Sequence, residues 1–289
     1  MPEIKTIARN LTFTECPRWH GGRWWFSDFY THAIYSMKSD GSDLQKEVDV
    51  PGQPSGLGWL PDGHLIFVSM KDRKVMVRAA DGTLSVHADV SSHVTGLPND
   101  MVVGTDGVAY LGNFGFDLMG GDPPGPANLL RIALDGTVTI AAEGLHFPNG
   151  SVITPSNTLI VDETFGNRVS AFDITPTGLG PRRDWAVFGP LPQTAEDRAF
   201  APDGCGLDAE GALWIADARG GRVCRVKEGG EIVQTVEPGT GVFACMLGGE
   251  DGRDLIMCCA PDFLEHKRRA AKEAELRVVR VDVPRAGLP

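Results

Sequence analysis

SGLGWLPDGHLIFVSM, residues 55–70, contains two short apolar runs on either side of a turn at Asp62-Gly63. Two further strand-like runs follow, Val75–Ala79 and Leu84–Ala88, with a second Asp-Gly turn between them. An Asp-Gly pair between short apolar segments is a strong hairpin signal. This part of the sequence therefore predicts one antiparallel sheet of four short strands.

The same arrangement of a turn and flanking strands recurs along the chain. The turn residues lie 41 to 54 residues apart, at Gly22, Gly63, Gly107, Asn157, Gly211 and Gly252. A period in the forties is typical of β-propeller blades. The predicted fold class is all-β, a six-bladed β-propeller with four antiparallel strands per blade. A pair of β-sandwiches or a less regular β fold is the alternative.

The two ends of the chain are predicted to meet in one blade. Glu3–Ala8 is predicted as an edge strand that pairs with the last repeat near Val278–Val283 and closes the ring. The charged segment His266–Leu276 is where a brief helical turn is expected. No linker or low-complexity stretch interrupts the repeats, so residues 1–289 are predicted to form a single domain.

Composition disfavours several classes of function. The formal net charge of −11 argues against a nucleic acid or an anionic membrane as partner. The start Met1–Lys5 lacks a signal-peptide pattern and no apolar run approaches membrane-spanning length, so a cytoplasmic protein is expected. The six cysteines have no C-x-x-C spacing and are expected to be buried and reduced. The sequence leaves the oligomeric state open.

A set of polar residues accompanies the repeat. One residue stands eight positions before the turn residue in five repeats and seven positions before it in the first. In chain order these register residues are Glu15, Ser55, Asn99, Asn149, Asp203 and Ala244. Equivalent positions of a closed ring converge on its axis. The four with carboxylate or amide oxygens are therefore predicted to surround one hard cation: Glu15, Asn99, Asn149 and Asp203.

The residue types indicate which cation the site would hold. Two carboxylates and two amides give a ligand charge of −2, and no His or Cys belongs to the register. One divalent cation is predicted, Ca2+ in the first place, with Mg2+, Mn2+ or Zn2+ as alternatives. Taken singly, pairs such as Asn149-Gly150 and Asp203-Gly204 also fit ordinary turns. The common register favours the metal site.

Several segments resemble the senescence-marker-protein, regucalcin and gluconolactonase family of six-bladed, metal-dependent lactonases. They are TECPRW (14–19), PND (98–100), FPNGS (147–151), PDG (202–204), DAEGALW (208–214) and MLGG (246–249). The resemblance implies that Glu15, Asn149 and Asp203 hold the cation directly and that Asn99 lies at or just beyond its coordination sphere. It also implies that Asp203 transfers the proton.

The activity implied by the resemblance is metal-dependent opening of a lactone or a related ester. The cation would polarise the carbonyl group, and Asp203 would accept the proton of the attacking water. A hydroxide generated at the cation fits the residues equally well. The alternatives are an organophosphate or fluorophosphate hydrolase at the same centre and a non-catalytic calcium- or ligand-binding propeller. The absence of a Gly-x-Ser-x-Gly motif disfavours a Ser-His-Asp hydrolase.

One departure from the family pattern bears on the substrate. In the sugar-lactonase branch an arginine two residues before the Asn-Asp pair reaches the substrate, whereas this chain has Leu97 there. An apolar residue donates no hydrogen bond to sugar hydroxyls, so a less polar lactone or ester is predicted in place of a sugar aldonolactone. The loops Phe114–Asn128 and Pro190–Phe200 are expected to overhang the site. The predicted pocket residues are Ser55, Leu97, Met101, Phe114, Phe116, Met119, His146, Phe165 and Phe243.

Overall fold

The computed structural model describes residues 3–194 and 196–289. Met1, Pro2 and Ala195, which the predicted domain 1–289 and the predicted loop Pro190–Phe200 include, lie outside the described residues. Almost every regular element in the described ranges is a strand. No helix in those ranges has the length and apolar character needed to cross a membrane.

The strands are short and follow one another at nearly regular intervals. In the first half of the chain they are β1 (Lys5–Leu11), β2 (Thr14–His20), β3 (Arg23–Asp28), β4 (Ala33–Met37), β5 (Gln45–Asp49), β6 (Pro54–Trp59), β7 (Leu65–Ser69), β8 (Lys74–Arg78), β9 (Leu84–Asp89), β10 (Pro98–Val103), β11 (Ala109–Asn113), β12 (Ala127–Ile132) and β13 (Val138–Leu145). In the second half the elements are β14 (Pro148–Ile153), β15 (Thr158–Glu163), β16 (Arg168–Thr175), β17 (Gly178–Leu179), β18 (Arg183–Val187), β19 (Pro202–Leu207), β20 (Leu213–Asp217), β21 (Arg222–Val226), β22 (Ile232–Val236), β23 (Val242–Gly248), β24 (Asp254–Cys259), the helix α1 (Glu265–Ala271) and β25 (Ala274–Arg280).

Blades 1, 2, 3 and 5 are sheets whose strands are hydrogen-bonded in chain order, as consecutive hairpins produce. The first five blades are β2 to β5, β6 to β9, β10 to β13, β14 to β18 and β19 to β22, with the short β17 as an extra strand in the fourth. The sixth blade combines β23, β24 and β25 with the N-terminal strand β1. The predicted six-bladed all-β propeller, closed by its N-terminal strand, is confirmed.

The details of the closure differ from the prediction by a few residues. β1 pairs antiparallel with β25 from Lys5 opposite Val278 to Leu11 opposite Ala274. The helix α1 ends at Ala271 because Lys272 adopts a left-handed conformation, φ 50°, and returns its N–H to the carbonyl of Arg268. The short helix α1 thus confirms the brief helical turn expected in His266–Leu276, and the last residues of that segment belong to β25.

The first strand of each blade lies innermost and brings the start of every blade to one end of the central channel. β2, β6, β10, β14, β19 and β23 contact one another in that cyclic order, and β23 returns to β2. Apolar side chains fill the space between the sheets, and the large rings of Trp24 and Trp214 are almost completely buried. This packing fixes the relative positions of the residues that begin the inner strands.

Candidate metal centre and substrate cavity

Four side chains from successive blades form one hydrogen-bonded series at the start of the inner strands. Ser55 Oγ donates to Asn99 Oδ1 at 2.8 Å. Asn99 Nδ2 donates to Asn149 Oδ1 at 3.0 Å, and Asn149 Nδ2 donates to Asp203 Oδ1 at 2.6 Å. The structure thus brings together the register residues of blades 2 to 5.

Glu15, from the first blade, lines the same cavity as Asn99, Asn149 and Asp203. Its Oε2 accepts a hydrogen bond from the backbone N–H of Cys16 at 3.3 Å. All four of these cavity-lining side chains are less than a tenth exposed. The four predicted cation ligands therefore share one buried site on the ring axis, and we refer to this group as the centre.

The environment of the centre opposes negative charge on its carboxyl groups. Burial first, and then the Asp203 carboxylate, raise the pKa of Glu15 well above its usual value. Burial first, and then Asp100 and Asp162, raise the pKa of Asp203 in the same direction. A dication would relieve this repulsion because it stabilises the ionised form of both groups.

The chemistry of the donors fits a hard cation. Within residues 3–194 and 196–289, no group of three or more His, Cys, Asp and Glu side chains could hold a metal ion. The centre instead combines two carboxylates with the amides of Asn99 and Asn149. Carboxylate and amide oxygens are ligands that Ca2+ prefers, and few protein ligands leave positions for water and substrate.

A β-bulge in each inner strand sets the direction of the register residue. The pairing of the inner strand with the second strand shifts at this point in every blade. The shifts lie between Glu15 and Arg18, Pro54 and Leu57, Pro98 and Met101, Pro148 and Ser151, Pro202 and Cys205, and Val242 and Ala244. A bulge bends its strand and redirects a side chain, which is a frequent device beside functional sites.

Proline marks the bulged position in four blades. Pro54, Pro98, Pro148 and Pro202 are each the first residue of an inner strand and immediately precede a register residue. Proline lacks a backbone N–H, so it is suited to the first residue of a strand and not to a central position. This proline is a sequence signal for the bulge that the turn spacing alone does not provide.

Glycine after the register residue allows neighbouring inner strands to approach closely. A Cβ on Gly150 would lie 2.3 Å from the carbonyl oxygen of Asp203. A Cβ on Gly204 would lie 2.5 Å from the Cβ of Ala244. A side chain at either position would push two blades apart. The same contact accounts for the small residue at the sixth register position, where Ala244 packs against Gly204.

A buried ion pair adjoins the centre. Arg18 Nη2 donates to Asp100 Oδ1 at 2.6 Å and to the carbonyl of Met101 at 2.8 Å, while its Nε donates to the carbonyl of Leu57 at 3.1 Å. Both charged side chains are almost completely buried. The pair crosslinks the inner strands of blades 1, 2 and 3 directly behind the register residues.

Asp162, in β15, is a second buried acid outside the cavity lining. Its side chain is fully buried, and neither carboxyl oxygen has a hydrogen-bond partner of ordinary geometry among the described residues. Burial raises the pKa of Asp162 well above its usual value, while the Cys205 thiol lowers it by a smaller amount. The group therefore holds its proton to a higher pH than an exposed aspartic acid would.

A cavity of about 310 Å3 opens onto the centre, and aromatic rings form most of its walls. One group of rings comes from blades 6 and 1, namely Phe13, Phe29, Tyr30, Phe243 and Phe263. Within it the Phe13 and Phe243 centroids are 4.9 Å apart. Such a volume and such an apolar lining with a few convergent polar groups are typical of small-molecule sites.

A second group of rings comes from blades 3 and 4. Phe147 packs edge-on against Phe114 and Phe165, with centroid distances of 4.6 Å and 5.4 Å. Two arginines from loops of blades 4 and 5, Arg198 and Arg219, also line the cavity. The cavity is therefore apolar on several sides and cationic on one.

The loops that were expected to overhang the site contribute to its lining. The segment between β11 and β12 supplies Phe114, Leu118 and Met119, and the segment before β19 supplies Arg198. Both segments lie at the end of their blades where the inner strands begin. This placement follows from four-stranded blades, in which the connection after the second strand returns to the end where the first strand started.

The predicted pocket residues divide into two sets. Phe114, Met119, Phe165 and Phe243 line the cavity. Five others lie outside its lining: Ser55, Leu97, Met101, Phe116 and His146. The structure thus corrects the placement of these five side chains relative to the cavity.

Three of these five placements have a local cause. The bulge between Pro98 and Met101 interrupts the strand alternation, so Met101 is fully buried in the main hydrophobic core. Ser55 is fully buried behind Asn99, to which it is hydrogen-bonded. Phe116 packs against the Phe165 ring at 5.7 Å, and so supports the cavity wall from behind.

Sequence reasoning missed several lining residues: Phe13, Phe29, Tyr30, Phe263, Arg198 and Arg219. Four of them occupy the connection after a second strand or just beyond it, where the loops of every blade reach the cavity end. Applying the same topological rule to all six blades, and not only to the longest loops, would have found Phe29, Tyr30, Arg219 and Phe263. Arg198 belongs to the loop Pro190–Phe200, which was expected to overhang the site, but the sequence does not distinguish it from the other residues of that loop.

Comparison with known proteins identifies the family. The family model described as the SMP-30/Gluconolactonase/LRE-like region matches residues 13–260. The chain belongs to this family. The match runs from the residue before β2 to the residue after β24 and so includes every inner strand and all residues of the centre. The resemblance drawn from the short sequence segments is thereby confirmed.

Members of the family are recognisable relatives in sequence and in structure. Pentonolactonase XacC of Haloferax volcanii is 27% identical over 268 residues, which are 90% of this chain and 86% of that protein. Regucalcin of Bos taurus is 43% identical over 68 residues, and the match covers 23% of each chain. The chain thus matches about a quarter of the length of regucalcins such as those of Bos taurus, Sus scrofa and Danio rerio. The calcium-binding protein regucalcin from Agrobacterium tumefaciens shares the fold, with a TM-score of 0.80 at 19% identity over 100% of this chain and 96% of that one.

Proposed function

We propose that the protein is a metal-dependent hydrolase that opens a lactone or a related ester. The observation that carries the proposal is the convergence of Glu15, Asn99, Asn149 and Asp203 on the floor of a cavity with apolar walls. These residues would hold one divalent cation, Ca2+ in the first place. When bound, the cation supplies Lewis-acid polarisation of a carbonyl oxygen.

The family relationship supports this activity and this cation. A relative that matches 90% of this chain is named a pentonolactonase, and the regucalcin of Agrobacterium tumefaciens is described as a calcium-binding protein. Fold alone would not justify either statement, because propellers host many functions. The donor set of the centre provides the chemical support that the fold lacks.

Asp203 is the proposed proton acceptor. Its side chain lines the cavity, and Asn149 donates a hydrogen bond to its Oδ1 at 2.6 Å, which fixes the orientation of the carboxylate. It is therefore placed to take the proton of a water molecule that attacks a carbonyl carbon above the centre. Asn149 is in turn held by Asn99, so the orientation of the base depends on three blades.

The apolar walls favour a substrate of low polarity. Phe13, Phe243 and Phe165 offer no hydrogen bonds to hydroxyl groups, and Leu97, the residue at the family's arginine position, lies outside the cavity lining. A hydroxyl group of a sugar lactone that packed against these rings would lose its hydration without replacement, which costs free energy. A lactone with an alkyl or aryl body would instead gain from burial of its apolar surface.

The test is hydrolysis of a lactone panel followed by pH-stat, with and without a chelator. The expected result is chelator-sensitive turnover that Ca2+ restores, with apolar lactones preferred to gluconolactone. Asp203→Asn should lower kcat by about 10²–10⁴-fold at saturating Ca2+. Asp173→Asn is the matched control, since it alters an exposed aspartate on β16 of the neighbouring blade that does not line the cavity. An Asp203→Asn protein with bound Ca2+ and full turnover would remove Asp203 from the chemistry.

Two other outcomes identify the alternative functions. Chelator-sensitive hydrolysis of phosphotriesters with no lactone turnover would indicate an organophosphate hydrolase. Tight Ca2+ binding without turnover of any lactone, ester or phosphotriester would indicate a non-catalytic calcium-binding propeller. Neither alternative requires a different centre, because a phosphoryl oxygen and a carbonyl oxygen need the same Lewis acid.

A further inference from the structure

The charge in the cavity is distributed unevenly. The walls from blades 6 and 1 are aromatic, with Phe13 at 5.4 Å from Phe29 and 4.9 Å from Phe243 between ring centroids. The two cationic lining residues, Arg198 and Arg219, both come from the loops around blade 5. A bound molecule would therefore meet apolar surface on one side and two guanidinium groups on another.

Arg198 lines the same cavity as the centre and stacks on one of its aromatic rings. Its guanidinium carbon is 4.3 Å from the centroid of the Phe165 ring, a cation–π arrangement. Phe165 follows Thr164, whose hydroxyl accepts a hydrogen bond from Asn149 Nδ2 at 3.0 Å. Stacking on Phe165 thus holds the guanidinium on the side of the cavity where Asn149 and Asp203 lie.

Arg219 is tied to the same part of the cavity wall. The N–H of its neighbour Ala218 donates to the carbonyl of Ala201 at 3.0 Å, which joins the loop after β20 to the segment that follows Arg198. Burial first, and then the positive charge of Arg219, lower the pKa of Arg198. Glu196 opposes this repulsion, since its negative charge raises the pKa of Arg198, and Arg219 Nη2 donates to the Glu196 carbonyl at 3.5 Å. An anionic group of a molecule bound in the cavity would be attracted by both guanidinium groups.

We propose that Arg198 and Arg219 bind an anionic substituent of the substrate, and that the substrate is a lactone with an apolar body and a carboxylate-type group. The planar guanidinium fork matches a carboxylate geometrically. In this orientation the lactone carbonyl lies at the centre, the anionic group lies beside blade 5, and the apolar body packs against the rings of blades 6 and 1. The substrate assignment rests on the hydrolase function proposed above.

A purely structural role for the arginines makes a different prediction. If Arg198 only anchors its loop on Phe165, its loss lowers kcat/KM for every substrate by a similar factor. If it binds an anion, its loss weakens binding of the anionic substrate and leaves the preferences among neutral substrates unchanged. The diagnostic quantity is therefore a ratio of two specificity constants and not an activity.

The test uses two γ-lactones with the same alkyl side chain, which ends in a carboxylate in one and in a primary amide in the other. The wild-type protein with Ca2+ should prefer the carboxylate in kcat/KM by roughly 10-fold or more, mainly through KM. Arg198→Met and Arg219→Met should each reduce this preference by about 10-fold. Arg183→Met, which removes an exposed arginine from the outer strand β18, is the matched control and should keep the wild-type ratio.

Charge reversal and a binding measurement separate this inference from the hydrolase function. Arg219→Glu should shift preference toward a lactone whose side chain ends in an ammonium group. A tetrahydrofuran with the carboxylate side chain cannot be hydrolysed, and its affinity should fall by about 10-fold in Arg219→Met. Equal preference for carboxylate and amide in the wild type and both variants would overturn the anion site and leave the hydrolase intact. Selective binding of the carboxylate ether without turnover of any lactone would overturn the hydrolase and support the anion site.

Discussion

Asn149 Nδ2 lies 2.6 Å from Asp203 Oδ1, and this hydrogen bond joins the inner strands of blades 4 and 5 at the centre. The amide of Asn149 therefore has two partners across blades, since its Oδ1 accepts a hydrogen bond from Asn99. A carboxylate held in this way loses little conformational entropy when it binds a cation. The centre is thus preorganised by a polar series that crosses four blades.

Removal of one carboxylate from the centre should weaken cation binding and stabilise the cation-free protein. Glu15→Gln keeps the shape of the side chain but removes a buried negative charge that Asp203 repels. In the presence of chelator we expect the variant to be more stable than the wild type. Its Ca2+ affinity should fall by more than about 100-fold, because loss of a residue that only orients a ligand already costs up to about 100-fold. Thermal unfolding in chelator and in saturating Ca2+ measures both effects.

The matched control for this change is Glu143→Gln, because Glu143 is exposed on β13. It should leave both the stability and the Ca2+-induced shift in Tm near the wild-type values. A Glu15→Gln protein whose Tm rises with Ca2+ as much as that of the wild type would contradict a ligand role for Glu15.

Ser55 should act on the cation through Asn99. Its hydroxyl donates to Asn99 Oδ1 at 2.8 Å and is fully buried, so Ser55→Ala leaves an amide oxygen without its partner. We expect Ca2+ affinity to fall by about 10-fold, within the range for residues that orient a ligand. Calorimetric titration measures this loss. Ser85→Ala on the exposed strand β9 is the control, and identical affinities in the two variants would exclude the positioning role.

The stability of the cation-free protein should decrease as pH rises. Burial raises the pKa values of Glu15 and Asp203 in the folded chain. Neighbouring carboxylates raise them further, Asp203 that of Glu15, and Asp100 and Asp162 that of Asp203. A carboxyl group with a raised folded-state pKa contributes stability below the unfolded value of about 4, and this contribution is lost as pH rises through the folded-state pKa. The free energy of unfolding in chelator should therefore fall as pH rises from about 4 through the folded-state pKa values of the two groups.

Two comparisons isolate this effect from other titrating groups. Asp203→Asn should reduce the pH slope, because it removes one of the two repelling charges. Ca2+ should stabilise the wild type more at the upper end of the range, since the cation binds the deprotonated carboxylates. Urea unfolding at several pH values measures these slopes, and a slope that is the same in wild type and Asp203→Asn would show that the centre carboxyls do not titrate as described.

The turn spacing was sufficient to predict the fold because the first hairpin turn of every blade lies at the same distance from the axis. The turn therefore recurs at a nearly regular interval in the sequence. The register residues Asn99, Asn149 and Asp203 converge for the same reason. The period does not report the bulges, and so the sequence placed Met101 in the pocket, whereas the altered alternation buries it in the core. Proline at the first position of an inner strand is the sequence feature that indicates the bulge.

Residues from loops were harder to predict than residues from strands. Arg198 reaches the cavity from an irregular segment before β19, where no periodicity relates sequence position to direction. Arg18 and Asp100 sit three residues and one residue after register positions, yet their pairing depends on the packing of neighbouring blades. Both cases need the distances between blades, which a single sequence does not encode in its spacing.

Separation of the buried ion pair should destabilise the propeller strongly. Arg18→Met leaves the Asp100 carboxylate buried without its 2.6 Å partner and removes bonds to the carbonyls of Leu57 and Met101. We expect a loss of about 3–5 kcal/mol in the free energy of unfolding, measured in urea at neutral pH. Arg18→Met combined with Asp100→Leu should recover much of it, because no uncompensated charge remains. Arg183→Met, which breaks an exposed pair, should cost less than about 1 kcal/mol. Equal losses for Arg18→Met and Arg183→Met would mean that the buried pair does not hold the inner strands together.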